Sequence, residues 1–390
     1  MEPASSDGTG AEVVPVARKT PKKYELPERP RILVMETGLI GELLAVTPAL
    51  RAICKARPEA DVTVMVRPGS APVLVGNPCV KKLLPLVGKE RKGFLGVMRL
   101  ASWVRSRDFD AALVLHTSFR SALIALMGAV PVRAGLSCEG RGFILTHKKP
   151  RDRAAYEVDE HLAVLELLGV PGAGRELEIF LTDDERRSAR LLVGSRPEGT
   201  RLVGLHPGAS REIRRWPIRH FVELADRLEG EAGVRTVFFF GPREEDLARA
   251  VSELRQWEGG VPPVVHSPGS VRVLAAAFEL MDAVVTNNTG PMHIAAAVGV
   301  PGVFIHGPTP VPRWHPPGDR YIPVYADGLE CRPCDTSKCA QSRLLCMDGV
   351  TVDRVFDAVR GLLDGTGRGS ETDSTSDRNS SPEEQEVGPA

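Results

Sequence analysis

The chain has 390 residues, equal numbers of basic and acidic residues and a hydrophobic fraction of 42%. This length predicts two domains, and the composition is typical of a globular protein. A net charge of zero gives no electrostatic reason to expect a nucleic-acid partner, and no apolar run reaches the ~18 residues of a membrane span. The absence of an apolar signal core and an odd count of seven cysteines predict a cytoplasmic protein.

Both ends of the chain lack any apolar periodicity. Residues 1–30 are rich in Pro, Ser, Gly and charged residues, and residues 365–390 are rich in Ser, Asp, Glu and Gly. Such composition predicts a disordered leader and a disordered tail. The folded part is therefore expected to span residues 31–364.

Between these ends, apolar strand patterns alternate with helical patterns. In the first half, strands are predicted at 31–35, 61–66, 110–116, 130–136 and 177–181, with helices at 42–57, 93–107, 118–127 and 161–168. In the second half, strands are predicted at 201–205, 234–240, 261–266, 283–286 and 302–306, with a last helix at 352–363. This alternation predicts an α/β protein with two Rossmann-like domains, each a doubly wound parallel sheet. We expect these domains at 31–182 and 183–364, with a linker at 183–199 and a ligand cleft at the carboxyl ends of the strands.

The first predicted strand leads into a turn with two glycines, residues 36–42 (ETGLIGE). The turn lacks the Lys-Ser/Thr pair of a phosphate-binding loop and the spacing of a dinucleotide fingerprint. Glu42 places a carboxylate at the start of the next helix, facing the cleft, where it can act as a general base. It can equally be an acid that stabilises the helix dipole, and this segment alone favours that simpler role.

Two strand ends of the second half carry polar groups. Residues 206–210 (HPGAS) are followed by Arg211, Arg214 and Arg215. The Ser210 hydroxyl and the guanidinium groups can hold a diphosphate, and a solvated basic loop is the alternative. After the next strand, Glu245 can bind ribose hydroxyls or act as a first-turn helix acid.

Residues 282–299 have the pattern of a strand, a turn and a helix. Asn288 and Thr289 are capping residue types, and Pro291 suits a first helical position. The helix start would present free N–H groups from Gly290 onward, with the Thr289 hydroxyl beside them and His293 one turn in. This predicts an anion site suited to phosphate, with an ordinary strand-to-helix turn as the alternative.

A cysteine cluster and a basic stretch complete the candidate features. Four thiols at short spacing can hold a structural zinc: Cys331, Cys334, Cys339 and Cys346. Their gaps of four and six residues differ from paired Cys-x-x-Cys motifs, so loop thiols without metal are favoured. Residues 81–107 carry eight basic residues against one acid, interleaved with apolar residues. Such a segment can lie on an anionic membrane surface or bind an anionic glycolipid, or it can be an ordinary surface helix.

Together these segments resemble glycosyltransferase family 9, the heptosyltransferases that build the inner core of lipopolysaccharide. The resemblance covers about residues 31–363 and is strongest at 32–50 (ILV…GE…TPAL), 206–217 (HPGA…RRWP) and 288–297 (NTGPMHIAAA). It implies a GT-B fold, with the two Rossmann-like domains facing a central cleft. The implied reaction is inverting and metal-independent, moving a sugar, here a heptose, from a nucleoside-diphosphate sugar to a lipopolysaccharide inner-core acceptor.

The resemblance also implies roles for single residues. Glu42 would be the base, Arg214 would replace the usual lysine on the diphosphate, and Glu245 would contact the ribose. The donor would be held by Asn288, Thr289, Gly290 and His293. The family usually has aspartate at the positions of Glu42 and Asn288.

The alternatives are another GT-B enzyme, such as a sugar-nucleotide epimerase, and a degenerate nucleotide-sugar binding protein. An anionic glycolipid acceptor would suit peripheral contact with the cytoplasmic face of the inner membrane.

Overall fold

The computed structural model describes residues 24–87, 93–138, 140–231, 233–255, 264–266 and 269–365. Most of the two predicted disordered ends, residues 1–23 and 366–390, lies outside these ranges. Residues 24–30, expected in the leader, instead pack on the first domain. Leu26 is 3% exposed, and the Arg57 guanidinium donates to the carbonyl oxygens of Leu26 and Pro27.

The N-terminal sheet has six parallel strands in the order β3-β2-β1-β4-β5-β6. Its strands are β1 (Arg31–Glu36), β2 (Asp61–Val66), β3 (Lys82–Pro85), β4 (Ala111–Val114), β5 (Val132–Ser137) and β6 (His147–Pro150). Its helices are α1 (Ile40–Leu44), α2 (Thr47–Ala56), α3 (Gly93–Arg105), α4 (Phe119–Met127) and α5 (Glu157–Glu166). The central strand β1 is apolar along Ile32 to Met35 and buried there on both faces, as expected for a covered parallel sheet.

The C-terminal sheet has the order β12-β11-β10-β7-β8-β9, again parallel. Its strands are β7 (Arg201–His206), β8 (Val234–Phe239), β9 (Val264–His266), β10 (Ala283–Asn287), β11 (Gly302–Ile305) and β12 (Tyr321–Val324). Its helices are α6 (Asp183–Val193), α7 (Ile218–Glu229), α8 (Glu245–Leu254), α9 (Val271–Phe278), α10 (Gly290–Ala297), α11 (Val311–Trp314), α12 (Leu345–Asp348) and α13 (Val352–Leu363). Both sheets wind outward from two central strands, which confirms the predicted pair of doubly wound domains.

Three predicted elements differ from the structure. The helix expected at 42–57 is divided into α1 and α2, because Pro48 has no N–H to continue the first helix. The strand expected at 177–181 is wrong: this stretch is extended but joins no sheet, and side chains bind its backbone instead. Thr47 Oγ1 accepts from the Glu178 N–H, and Arg272 donates to the Phe180 carbonyl. The expected linker at 183–199 contains α6, which packs on α9.

Of the strand predicted at 261–266, residues 261–263 lie outside the described ranges. The edge strands β3, β6 and β12 were not predicted. Each has only four residues and is largely half-exposed or exposed, so it carries no clear apolar pattern. Among the described residues, no helix combines the length and the apolar character needed to cross a bilayer.

The two domains are docked through buried contacts. Helix α1 packs against α10, and a Cβ placed on Gly41 would stand 2.5 Å from His293 Cδ2. Arg313, from α11, forms buried ion pairs with Glu157 and Glu160 of α5. The segments that follow β1 and β10 are therefore held face to face across the cleft.

Candidate active site

Glu42 lies in the first turn of α1, on the N-terminal side of the cleft. Its Oε2 accepts a hydrogen bond from the Leu39 N–H at 2.7 Å, so the carboxylate does hold the helix start. The side chain is half-buried. This contact fixes its direction without excluding a role as a base, which stays a prediction.

Glu36 is a second carboxyl group at this point, and it was not predicted. It ends β1, is 2% exposed, and accepts the Gly38 N–H at 2.7 Å. Burial raises the pKa of Glu36 well above its usual range, and the charge of Glu42 raises it further. A Cβ on Gly38 would overlap Glu42 Oε2 and stand 2.8 Å from Glu36 Oε1, so both carboxyl groups flank this glycine. A glutamate that ends a buried strand at the cleft was the signal available in the sequence.

Arg214 lies on the opposite side of the cleft, in the short turn Glu212–Arg214 that follows β7. Its Nη2 is 3.6 Å from Asp335 Oδ1, and its buried Nε has no hydrogen-bond partner within the described chain. Burial and the charge of Arg211 lower the pKa of Arg214, whereas the carboxylates of Asp335 and Glu42 raise it. The guanidinium is therefore half-buried, with one N–H unpaired, and is suited to bind an anion.

The loop after β7 lies against the start of α8. Ser210 is exposed, and so is Glu245. The neighbouring Glu244 is the acid that faces this loop: its Oε2 accepts the Gly241 N–H at 2.6 Å and lies 3.8 Å from His206 Nε2. Its carboxylate occupies the space where a Cβ on Gly208 would stand. Because Glu244 and Glu245 are adjacent, the sequence alone could not show which of the two side chains faces the loop.

Asn287 ends β10, Asn288 follows it, and the two side chains have different partners. Asn287, which was not predicted, donates to the Pro207 carbonyl at 2.8 Å and accepts the Trp216 N–H at 2.9 Å. It therefore joins the end of β10 to both ends of the loop at 207–216. Asn288 is buried, and its Nδ2 donates to Thr309 Oγ1 at 2.8 Å. Both amides are thus held by the protein at the edge of the sheet.

The next residues form the start of α10. Thr289 occupies the N-cap position, and Gly290 begins the helix beside Ile40 of the other domain. His293 is buried against Trp314, with ring centroids 6.1 Å apart, and its Nδ1 has no hydrogen-bond partner among the described residues. Burial, with a smaller effect of His315, lowers the pKa of His293 to about 4. The imidazole is therefore neutral near pH 7, and the positive field here comes from the helix start and Arg214.

The four late cysteines line one cavity of about 90 Å³ together with Ile213 and Pro308. All four thiols are free. Burial raises the pKa of Cys346, and Cys334, Cys339 and Cys331 raise it further. Across the described ranges, no group of three or more His, Cys, Asp or Glu side chains is arranged to hold a metal ion. The loop touches the arginine turn, since Asp335 contacts Arg214.

The basic stretch at 81–107 is only partly described, because residues 88–92 lie outside the described ranges. Helix α3 buries Val97, Leu100 and Val104 in the core. At its start, Phe94 is 68% and Leu95 is 72% exposed. The helix therefore has a core face and, in addition, an exposed apolar end.

Comparison with known proteins identifies the family. The model of glycosyltransferase family 9 (heptosyltransferase) matches residues 97–344. This chain belongs to glycosyltransferase family 9.

Among its relatives, lipopolysaccharide heptosyltransferase 2 of Salmonella typhimurium is 28% identical, over 85% of this chain and 98% of that protein. The crystal structure of a family 9 glycosyltransferase from Veillonella parvula has a TM-score of 0.75 at 25% identity, covering 88% of this chain and 100% of that one. An E. coli heptosyltransferase solved with ADP has a TM-score of 0.63 at 18% identity, covering 85% and 99% of the two chains. These likenesses confirm the predicted GT-B fold and the prediction of a glycosyltransferase.

Proposed function

We propose that this family 9 enzyme transfers a heptose, with inversion, from a nucleoside-diphosphate heptose to an inner-core sugar of lipopolysaccharide. The observation that carries the proposal is the placement of Glu42 and the half-buried Arg214 on facing sides of one cleft, so that the carboxylate and the guanidinium belong to one site. A base on one domain and a desolvated guanidinium on the other are what the transfer needs. The name of the Salmonella relative, a lipopolysaccharide heptosyltransferase, supports the sugar and the acceptor class.

The donor would lie on the C-terminal domain. Its diphosphate would meet the free N–H groups at the start of α10, near Thr289 and Gly290, and the unpartnered Nε of Arg214. Ser210 lies at the exposed edge of the loop after β7. Glu244 or Glu245 would accept hydrogen bonds from the ribose hydroxyls. His293, neutral and with a free Nδ1, can offer a hydrogen bond but no charge. The neighbour solved with ADP supports a nucleoside diphosphate as leaving group.

In the reaction, Glu42 would accept the proton of the acceptor hydroxyl as its oxygen attacks the anomeric carbon. The nucleoside diphosphate leaves from the opposite face, which inverts the configuration. Arg214 and the start of α10 would stabilise the charge that builds on the diphosphate. These groups already supply the positive charge that the departing diphosphate requires, which supports a reaction without a metal cofactor.

The acceptor would approach from the N-terminal domain, whose sheet edge carries an exposed apolar rim. We define this rim as Phe94, Leu95, Phe119 and Phe143, which are 68%, 72%, 42% and 78% exposed. Phe94, Leu95 and Phe119 begin helices that follow strands, so they lie at the same carboxyl edge as Glu42. In the sequence the basic residues Lys89, Arg91 and Lys92 precede Phe94. Exposed apolar side chains next to basic residues suit the interface of an anionic bilayer, so the rim would contact the cytoplasmic face of the inner membrane.

Acceptor-dependent release of nucleoside diphosphate tests the activity. The purified full-length protein is incubated with ADP-heptose, with and without an inner-core glycolipid. The mass of the glycolipid product is measured by mass spectrometry. We expect ADP release only with the acceptor, and a product heavier by one heptose. Conversion of the nucleotide sugar without an acceptor would favour an epimerase, and donor binding without turnover would favour a degenerate binding protein.

Sedimentation with lipid vesicles tests the apolar rim. Phe94→Ser combined with Leu95→Ser should weaken binding to anionic vesicles. Leu191→Ser is the matched control, since Leu191 is 81% exposed on α6 of the other domain. Equal binding by the rim variant and the control would refute the membrane contact while leaving the transfer reaction open to its own test.

A further inference from the structure

Three polar side chains form one hydrogen-bonded chain beside the start of α10. Asn288 Nδ2 lies 2.7 Å from His306 Nδ1, and His306 Nε2 lies 3.1 Å from His315 Nδ1. His315 Nε2 lies 3.0 Å from the backbone carbonyl oxygen of Tyr321. Asn288 and His306 are 4% and 0% exposed, and His315 is half-buried. We call Asn288, His306 and His315 the histidine chain.

The carbonyl oxygen of Tyr321 fixes the direction of every bond in the histidine chain. It can only accept, so His315 Nε2 carries a proton and donates it. A neutral His315 then accepts at Nδ1, so His306 donates from Nε2 and accepts at Nδ1. The group that faces His306 must therefore be a donor, and the amide nitrogen of Asn288 is that donor.

The surroundings keep both imidazoles neutral. Burial lowers the pKa of His306 well below its ordinary value, and the positive charges that His315, Arg332 and His293 can carry lower it further. Burial also lowers the pKa of His315, although its bond to the Tyr321 carbonyl opposes this shift. The neutral forms that the bond directions require are therefore the stable ones near pH 7.

The histidine chain leaves one atom of Asn288 available. Its amide hydrogens go to His306 Nδ1 and Thr309 Oγ1, and no hydrogen bond from the described chain reaches its Oδ1. Asn288 lies between the end of β10 and the N-cap Thr289, at the sheet edge where a ligand of this fold binds. Oδ1 can only accept, so its partner must be a donor, and the hydroxyl groups of a sugar are such donors.

An aspartate at this position would not fit the same neighbours. A carboxylate cannot donate, so His306 would need its proton on Nδ1 and would have to accept at Nε2. His315 would then donate from both ring nitrogens and become a buried cation. The asparagine thus matches the hydrogen-bond directions that the two histidines require.

We propose that His306 and His315 are positioning residues of the donor site, which hold Asn288 so that its Oδ1 accepts a hydroxyl of the donor sugar. The inference rests on the proposed function, because it takes a nucleotide sugar as the ligand. The histidine chain works only with both rings neutral.

The tautomers can be measured without any substrate. Long-range ¹H–¹⁵N correlation spectra of full-length protein labelled with ¹⁵N-histidine show which ring nitrogen is protonated, and single substitutions assign the nine histidines. We expect His306 and His315 both as neutral rings protonated at Nε2 near pH 7. We also expect Asn288→Asp to convert one of them to the charged form. A charged ring or an Nδ1 proton in the unaltered protein would overturn the inference.

Kinetics with two substitutions at one site test the effect on the donor. Glutamine keeps an accepting oxygen and a donating nitrogen, whereas leucine keeps neither. We expect the KM for ADP-heptose to rise about tenfold or more in His306→Leu and to stay within about twofold in His306→Gln, with kcat little changed. His220→Gln, at a half-buried histidine of α7, is the matched control.

Equal losses in the two His306 variants, with equal melting temperatures, would overturn the positioning role. If His306→Leu does not fold, His315→Leu and His315→Gln replace the two His306 variants. The same contrast in KM is expected, and equal KM values for the two would count against the role. An unaltered protein that transfers no sugar would refute the proposed function alone, since the tautomer spectra do not depend on turnover.

Discussion

Replacing Glu42 with glutamine removes the charge of the proposed base and keeps its main contact. The amide oxygen of glutamine can still accept the Leu39 N–H, which the carboxylate accepts at 2.7 Å. The side chain is half-buried and has the same length, so the start of α1 should be preserved. We expect the free energy of unfolding to change by less than about 1 kcal/mol.

Catalysis should respond very differently to Glu42→Gln. An amide cannot take the proton of the acceptor hydroxyl, and loss of a general base lowers turnover by ~10²–10⁴. This corresponds to roughly 2.7–5.4 kcal/mol of activation free energy. Donor affinity should be unchanged, because the proposed diphosphate contacts lie on the other domain. Glu42→Asp should keep a rate well above that of Glu42→Gln, since it keeps a carboxylate that can take the proton.

The assay compares acceptor-dependent release of ADP with donor binding measured by calorimetry. Glu59→Gln is the control, because Glu59 is an exposed glutamate of the same domain. Near-normal turnover of Glu42→Gln would refute the base assignment, and Glu42 would then only hold the start of α1.

Four further expectations follow from other parts of the structure. Arg214→Ala should weaken ADP binding in calorimetry by roughly 1.5–3 kcal/mol, because it removes a charge-assisted contact. Arg313→Met should lower the free energy of unfolding in urea by ~3–5 kcal/mol, because it removes the cation shared by two buried carboxylates and leaves only the more distant Arg151 beside Glu160. As the pH falls from about 6.5 to about 4, the unfolded chain binds a proton at His293 that the folded chain does not, so the free energy of unfolding decreases across this window. His293→Gln should therefore make the melting temperature fall less steeply over the same pH range. A chelator should leave the rate of sugar transfer unchanged, because Arg214 and the start of α10 carry the positive field.

Each of these expectations has a control and a result that contradicts it. Arg219→Ala removes an exposed arginine of α7 and is the control for Arg214→Ala. If both variants lose the same ADP affinity, Arg214 does not bind the diphosphate directly. Arg187→Met breaks an exposed pair with Asp184 and should cost at most about 1 kcal/mol. If His293→Gln leaves the pH dependence of the melting temperature unchanged, the ring of His293 is not a neutral buried group. A rate that falls with chelator and returns with added metal would refute the metal-independent reaction.

The interior of the fold could be predicted because central strands and amphipathic helices have a clear apolar period. The last helix was predicted at 352–363 and found there, since Val355, Phe356 and Val359 form one buried face. Short edge strands such as His147–Pro150 were missed, because a half-exposed strand of four residues has no distinctive pattern. The stretch at 177–181 has apolar residues like a strand, but its backbone partners are the side chains of other elements, which local sequence cannot reveal.

The site was predictable as a set of segments and not as a set of contacts. The order of the loops indicated that Glu42 and Arg214 belong to one cleft, but the docking of two domains decides that they lie on facing sides of it. The choice between Glu244 and Glu245 depends on how one helix starts. The burial of His293 against Gly41 depends on both domains at once. Each of these facts needs coordinates of residues far apart in the chain.

The turn at 36–42 shows how the fold accommodates the side chain of Glu42. Its carboxylate reaches back to the Leu39 N–H and so comes to lie where a Cβ on residue 38 would be. The other side of the same space is taken by Glu36 Oε1, and Ser70 Oγ donates to the Gly38 carbonyl at 3.0 Å. Any residue larger than glycine at 38 would push against both carboxyl groups at once. Glycine at this position therefore leaves room for both carboxyl groups, and its role lies in this packing, since its own backbone has no positive φ.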